Sequence, residues 1–185
     1  MNSQVPEPPD FDAISLHAEK SAEQRTEILA LIGNLMFSWS NNESVFIYFL
    51  MVLLDTDFTS AAITFLSLNT TRARLDLIRR LAKTKIGDEE VVDRLENLIS
   101  RFQRCTRTRN DLNHCIYQMN DHGEITHTTV LRISESKGDF KIATVRALNK
   151  RRINEITGVI RRLTKLNREL WEFLAELKKQ TGTTL

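Results

Sequence analysis

The sequence predicts a mostly helical protein, and three features of its composition and patterning support this. All three prolines lie within the first nine of the 185 residues, and the chain contains only six glycines. Because these residues mark the turns of sandwiches and barrels, their scarcity favours long helices. Apolar residues recur three and four positions apart over most of the chain, which is helical spacing. We therefore predict an all-α fold: a bundle of five to six helices with a small β-hairpin insertion at about 118–146 before a long C-terminal helix.

Apolar periodicity and capping residues place the individual helices. The segment SWSNN (38–42) supplies stop and capping residues, so we expect one helix to end there and another to begin. The helix that follows is apolar on all sides, which predicts a central position in the bundle. The predicted helices are 13–39 (starting between 13 and 18), 42–54, 57–65, 69–85 (capped by Asn69, Thr70 or Thr71), 88–114 and 149–179.

The texture of the sequence changes after residue 114. The turn signal NDHG (120–123) precedes the segment ITHTTVLRIS (125–134), which is rich in β-branched residues. Such residues favour short strands, and we expect two or three of them. The last helix then carries a regular heptad pattern with one polar position, Asn167. This pattern predicts packing along the bundle or against a partner chain.

Composition and terminal sequence limit the domain organisation. The polar, acidic and proline-rich residues 1–12 predict a disordered arm, followed by a single helical domain at 13–180. Hydrophobic residues make up 41% and charged residues 27% of the chain, as in ordinary soluble proteins. No signal-peptide pattern opens the sequence, and the longest apolar run, 45–54, would span only about 15 Å as a helix. We therefore expect a cytoplasmic protein without a membrane partner.

Basic residues form three clusters although the net charge is only +2. These clusters are either solvated helix faces or, if they converge in space, a surface for phosphate groups. Cys105 and Cys115 lack metal-ligand spacing, and so do His122 and His127. We predict reduced thiols, no metal and no cofactor. The clusters comprise Arg72, Arg74, Arg79, Arg80, Lys83 and Lys85; Arg101, Arg104, Arg107 and Arg109; and Lys150, Arg151, Arg152, Arg161, Arg162, Lys165 and Arg168.

The candidate functional site lies in the segment RFQRCTRTRNDLNHCIY (101–117), at the end of a long helix. Arg109 is a permanent cation that can grip a phosphate through two parallel hydrogen bonds. His114 can move a proton near neutral pH. Together they can cleave RNA without a metal, with Arg104 and Arg107 as additional RNA-binding residues. The alternative interpretation is a solvated, salt-bridged helix end.

Arg109, Asn110 and His114 form an Arg-Asn-x-x-x-His motif in a helical bundle, which resembles the HEPN superfamily of bacterial and archaeal toxins and defence proteins. Segments SWSNNE and SLNTTRARLDLIRR are also similar to those of bacterial HEPN-type proteins, and the resemblance covers roughly 13–175. It implies a homodimer in which two Arg/His motifs form one composite cleft. It also implies a metal-independent endoribonuclease that leaves a cyclic phosphate.

The resemblance implies a role for each motif residue. His114 would be the general base and Arg109 the phosphate clamp. Asn110 would hold His114 or a phosphate oxygen, and Asn113 would orient Arg109. HEPN toxins silenced by a nucleotidyltransferase carry Tyr two residues after the His.

Position 116 of this chain is instead an isoleucine, with Tyr117 one residue later. This departure argues against that mode of silencing, although Tyr117 is still expected near the site. An antitoxin or another regulatory protein is a further expected partner.

Glu43 has two open interpretations. As a residue in the first turn of a helix beginning at 42, it would complement the positive end of the helix dipole. Alternatively, its carboxylate faces the Arg109/His114 site and orients one of the two residues. The sequence does not decide between them.

Two other functions remain open beside the ribonuclease. The chain can be a non-catalytic helical module that dimerises through its first or last helix and binds a nucleotide or a protein. It can also bind RNA through its basic clusters without cutting it, in which case binding would depend steeply on salt and not on His114.

Overall fold

The computed structural model describes residues 10–17, 19–136 and 139–181. The chain is mostly helical, with a small three-stranded antiparallel sheet before a long C-terminal helix, which confirms the predicted fold class. Within the described residues the helices are α1 (Phe11–His17), α2 (Ala22–Leu54), α3 (Phe58–Leu66), α4 (Thr71–Lys85), α5 (Glu89–Asn113) and α6 (Lys150–Thr181). The strands are β1 (Cys115–Met119), β2 (Ile125–Ser136) and β3 (Asp139–Ala147).

The predicted break at SWSNN is wrong, because α2 runs as one helix of 33 residues through this segment. The side chain of Asn42 is fully buried and does not cap a helix. Its Nδ2 donates to the carbonyl oxygen of Ser38 at 2.7 Å and to that of Leu163 on α6 at 3.0 Å. The first bond is the side-chain i−4 bond of an uninterrupted helix and the second joins α2 to α6, whereas Oδ1 has no hydrogen-bond partner among the described residues.

Local sequence signals correctly predict the helix ends around α3. Asp55 has a φ of 48°, and the amides of Asp55 and Thr56 bond back to Val52 and Met51, which closes α2 with a Schellman motif. The side chains of Asp57 and Thr70 accept hydrogen bonds from main-chain amides at the starts of α3 and α4. These caps satisfy amides that the helices leave free, so the predicted short helix and the predicted cap at Thr70 are confirmed.

The chain divides into two compact units. As far as the chain is described, the sheet unit contains 10–33 and 111–154, and the bundle unit contains 34–110 and 155–181. The single domain predicted at 13–180 stays a prediction. The predicted arm at 1–12 lies mostly outside the described residues, but Phe11 and Asp12 begin α1, so the prediction of disorder is wrong for these two.

The sheet unit contains three antiparallel strands in the order β1-β2-β3. The predicted β insertion at about 118–146, with two or three strands, is confirmed, and pairing begins slightly earlier, at Cys115, which faces Val130. Val130 in turn faces Thr144 on β3. The β1–β2 turn contains Gly123, whose φ of 75° suits a residue without a Cβ.

A small core holds α2 against the sheet within this unit. Ile28, Ile125 and Leu148 are buried together, with the ring of Tyr117 packed against them. The side chain of Gln24 adds two hydrogen bonds to the main chain of Ile125, one donated at 3.0 Å and one accepted at 3.1 Å. These contacts fix the first turns of α2 on the start of β2.

The bundle unit has an aromatic core and a broad apolar face on α6. The ring of Phe102 lies 5.4 Å from the rings of both Trp39 and Phe46. Asn167 does not lie in the buried face as predicted, since it is only half-buried beside it. The buried face is centred one position earlier because a helix of 3.6 residues per turn buries a wider stripe than two heptad positions. Its residues are Ile156, Val159, Leu163, Leu166, Leu170, Phe173, Leu174 and Leu177.

Candidate functional site

Helix α5 carries most of the predicted site residues. It ends at Asn113, and His114 is the next residue, so the predicted placement of the motif at a helix end is confirmed. Arg104, Arg107, Arg109 and Asn110 belong to the bundle unit, whereas Asn113, His114 and Tyr117 belong to the sheet unit. The predicted contacts of Asn110 with His114 and of Asn113 with Arg109 therefore stay predictions.

In the bundle unit, Arg109 lies flat against an aromatic ring. Its guanidinium carbon is 3.3 Å from the centre of the Trp39 ring. Its Nε is buried and has no hydrogen-bond partner among the described residues. Burial lowers the pKa of the Arg109 guanidinium, and the negative charge of Glu43 acts in the opposite direction. Stacking on an aromatic face fixes the plane of a guanidinium while its edge remains able to donate hydrogen bonds.

The ring beneath Arg109 is itself firmly held. Trp39 is only 4% exposed, and its Nε1 donates to the Thr106 hydroxyl at 3.0 Å. The ring also stacks on Phe102 at an interplanar angle of 25°. Sequence reasoning missed Trp39 and Thr106, since no local pattern joins a tryptophan on α2 to an arginine on α5. The result is a rigid aromatic support for one cation.

Glu43 lies in the middle of α2, so its predicted position in the first turn of a helix is wrong. Its carboxylate accepts a hydrogen bond from the Thr71 hydroxyl at 2.6 Å and pairs with Arg74 at 3.2 Å. The Nε of Arg74 also donates to the carbonyl oxygens of Phe65 and Leu68. Glu43 therefore ties α2 to α4, and it acts on Arg109 through its charge.

Arg104 and Arg107 are exposed on α5. Within the described part of the chain, neither has a carboxylate within ion-pair distance. An exposed, unpaired arginine keeps all its donors available to an anion. The two residues thus have the environment that their predicted role as RNA-binding residues requires.

In the sheet unit, His114 is exposed directly after the last helical residue. The amide Nδ2 of Asn113 lies 3.3 Å from its Nε2. An amide that donates to Nε2 leaves this nitrogen unprotonated in the neutral imidazole and places the proton on Nδ1. In this arrangement Asn113 occupies the lone pair of Nε2, so His114 can accept a proton only after this amide moves away.

Two contacts of the sheet unit fix the chain on both sides of His114. The phenol of Tyr117 donates to the carbonyl oxygen of Leu112 at 2.6 Å, and burial raises its pKa. The carboxylate of Asp111, which is 5% exposed, pairs with Arg146 on β3 at 2.8 Å. Tyr117 is thus a structural anchor of the helix end, and Asp111 and Arg146 are two further residues that sequence reasoning missed.

Comparison of the chain with models of protein families, with curated proteins and with solved structures finds no match. Among the described residues, no group of three or more His, Cys, Asp or Glu side chains is arranged to hold a metal ion. No single described helix has the length and hydropathy to cross a membrane. The pair α2 and α3 passes that test only when taken together, and it is bent by 119°.

Proposed function

We propose that this protein is a metal-independent endoribonuclease of the HEPN type that acts as a homodimer. The observation that carries the proposal is the environment of Arg109. A half-buried arginine stacked on a fixed tryptophan, without a carboxylate partner in the described chain, is suited to bind an anion that is not part of the protein. The exposed imidazole of His114, five residues further along, supplies the group that can move a proton.

The proposed reaction divides the work between these two residues. His114 takes the proton from a ribose 2′-hydroxyl, whose oxygen attacks the adjacent phosphorus. The bond from phosphorus to the 5′-oxygen breaks, which leaves a cyclic phosphate on one product. Water protonates the 5′-oxygen of the other product, and His114 then gives its proton to the resulting hydroxide. Arg109 stabilises the negative charge that grows on the phosphorus oxygens.

Cleavage of mixed cellular RNA in EDTA tests the proposal. We expect the wild type to produce cyclic-phosphate ends, and His114→Ala and Arg109→Ala to produce none above background. Arg109→Lys keeps the charge but not the planar fork, so it should restore only a small part of the activity. Arg94→Gln, on the same helix, is the matched control and should cleave normally. Equal cleavage by His114→Ala and the wild type would refute the assignment of the base.

A second candidate function, a non-catalytic dimerisation module, is favoured by an exposed apolar face on α3. Phe58, Ile63 and Leu66 are 48%, 62% and 61% exposed. Asp55 and Asp57 precede the helix, and the exposed Arg72, which lies 3.7 Å from Asp76, follows it on α4. Antiparallel pairing of two copies would therefore place these carboxylates opposite the partner's basic end, so the occupant that fits this face is a second copy of the chain.

Sedimentation tests the dimer that both candidates require, and RNA cleavage then separates them. We expect the wild type to be a dimer and Ile63→Asp to be a folded monomer, because a buried carboxylate at the centre of the face would oppose pairing. Leu29→Asp changes an equally exposed leucine on α2 and is the control. A dimer without RNA cleavage would favour the module, and a wild type that stays monomeric at high concentration would count against both candidates.

A further inference from the structure

Two ion pairs join α5 and α6 in the bundle unit at a regular spacing. The two terminal guanidinium nitrogens of Arg94, Nη1 and Nη2, donate to the carboxylate of Glu176 at 2.6 and 2.8 Å. Arg101 makes the same two-pronged contact with Glu169. The arginines are seven residues apart, and so are the glutamates in the opposite direction. Antiparallel helices with this register bring equivalent faces together once every two turns.

The next pair of positions in this repeat does not combine an arginine on α5 with a glutamate on α6. Seven residues beyond Arg101 is Thr108, and seven residues before Glu169 is Arg162. The cation is now on α6, and the residue opposite it is neutral. Arg162 is exposed, and within the described chain it has no carboxylate within ion-pair distance. The repeat therefore ends in a positive charge that the protein does not balance.

Arg104 lies one turn before Thr108 on α5, on the helix face that also carries Arg101, so it is next to the position opposite Arg162. Burial raises the pKa of the neighbouring Cys105 thiol, although Arg162, Arg104 and Arg101 act in the opposite direction. Cys105 therefore stays a neutral thiol near pH 7 and does not balance the arginines. Arg101 is already paired with Glu169, which leaves Arg104 and Arg162 as the two available cations. One arginine of the second basic cluster and one of the third are thus available at this end of the α5–α6 pair.

We propose that Arg162 and Arg104 bind a backbone phosphate of the RNA substrate, which takes the place of the carboxylate absent from the third α5–α6 pair. The inference rests on the proposed function for the identity of the polyanion. Its physical basis is independent of catalysis, because paired guanidinium groups bind phosphate as they bind carboxylate. The hydroxyl of Thr108 is a neutral hydrogen-bonding group at the same position.

Thr108→Glu is the sharpest test, since it places the missing carboxylate in the protein itself. The new carboxylate should pair with Arg162 and compete with RNA. We expect weaker binding of an RNA that cannot be cleaved, such as a 2′-O-methyl oligonucleotide, measured by fluorescence anisotropy. The slope of log affinity against log salt should fall by about 1, which corresponds to one lost phosphate contact. Arg162→Gln should give the same change.

Matched variants control for charge and for folding. Thr108→Gln has the shape of the glutamate variant without its charge and should bind like the wild type. Asn97→Glu adds the same charge to α5, and Arg94→Gln removes the same charge as Arg162→Gln, both at the end of the helix pair where the arginines are paired. Neither should change the salt slope. Circular dichroism melting establishes that each variant is folded.

The outcomes separate this inference from the proposed function. If the wild type cleaves RNA but Thr108→Glu and Arg162→Gln keep its affinity and salt slope, the inference is overturned and the ribonuclease stands. If both variants weaken binding but no protein cleaves RNA, the phosphate site stands and the catalytic proposal fails. A wild type that shows no salt-dependent RNA binding overturns the inference directly.

Discussion

The two halves of α5 use the same residue type for different purposes. In the first half, Arg94 and Arg101 are each held by two contacts to a glutamate on α6. In the second half, Arg104 and Arg107 have no carboxylate partner within the described chain, and Arg109 lies on Trp39. A paired arginine is part of the structure, whereas an unpaired one leaves its charge to a ligand. The contrast predicts that substitutions in the first half change stability and those in the second half change binding.

The largest effect on stability is expected from substitutions of Trp39, which supports Arg109. Trp39→Ala should lower the free energy of unfolding by about 3–5 kcal/mol, because it removes a buried aromatic side chain. Trp39→Phe keeps a ring under the guanidinium and loses mainly the hydrogen bond to Thr106, which is worth about 1 kcal/mol. Denaturant melts of both variants measure these values. If both variants lost the same free energy of unfolding, packing of the aromatic ring would not be the source of the stability.

The next effect is expected at Tyr117, which fixes the end of α5 in the sheet unit. Tyr117→Phe removes the hydrogen bond to Leu112 and should cost about 1 kcal/mol at neutral pH. The pKa of the folded phenol is raised above its ordinary value of 10.0. Above pH 10 the unfolded chain therefore loses this proton first, and wild-type stability falls as pH rises.

Tyr117→Phe has no phenol to ionise. The stability of this variant should therefore approach that of the wild type in alkaline solution. Denaturant melts at pH 8 and above pH 10 provide the comparison. A gap between the two proteins that widens with pH would contradict the assigned direction of the pKa shift.

The parts of this fold that the sequence predicts correctly depend on neighbouring residues. The short helix after Asp57, the cap at Thr70 and the end of α5 follow from side chains that bond within three residues or from a change in periodicity. The break at 38–42 was wrongly predicted because the partner of Asn42 is Leu163, which is 121 residues away. A residue that usually caps a helix does not mark a helix end when its side chain bonds to a distant residue in a packed interface.

The residues of the candidate site likewise divide into those that local sequence identifies and those that depend on distant packing. The sequence identifies Arg109 and His114 because their residue types and spacing carry chemical information. It does not identify Trp39 as the support of Arg109, nor the α5–α6 register of the Arg94–Glu176 and Arg101–Glu169 pairs, because both depend on the packing of helices distant in sequence. Periodicity indicates which face of a helix is buried but not which residues of another helix lie against it.

A smaller effect is expected for the paired arginine at 101. Arg101→Gln leaves Glu169 with only the more distant Lys165, at 3.9 Å, and should cost about 0.5–1 kcal/mol. The hydrogen bond from Arg101 lowers the pKa of Glu169 below its ordinary value of 4.5. The stability gained from this pair is therefore present above pH 4.5 and is lost as pH falls through the folded pKa.

The difference between wild type and Arg101→Gln should accordingly shrink in acid. Melts at neutral pH and near pH 3 measure it, and RNA binding by the variant should be unchanged. If Arg101→Gln lost as much RNA affinity as Arg162→Gln, the proposed difference between paired and unpaired arginines would be wrong.

The smallest effect on stability is expected for the unpaired arginines, Arg104 and Arg107. Each change to glutamine should alter the free energy of unfolding by less than about 0.5 kcal/mol, because the residues are exposed and have no protein partner to lose. The same changes should weaken RNA binding and reduce its salt dependence. Arg104→Gln should act on the same phosphate as Arg162→Gln, so the double variant should lose less affinity than the two single losses combined. Fully additive losses would instead place the two arginines on separate phosphates along the RNA.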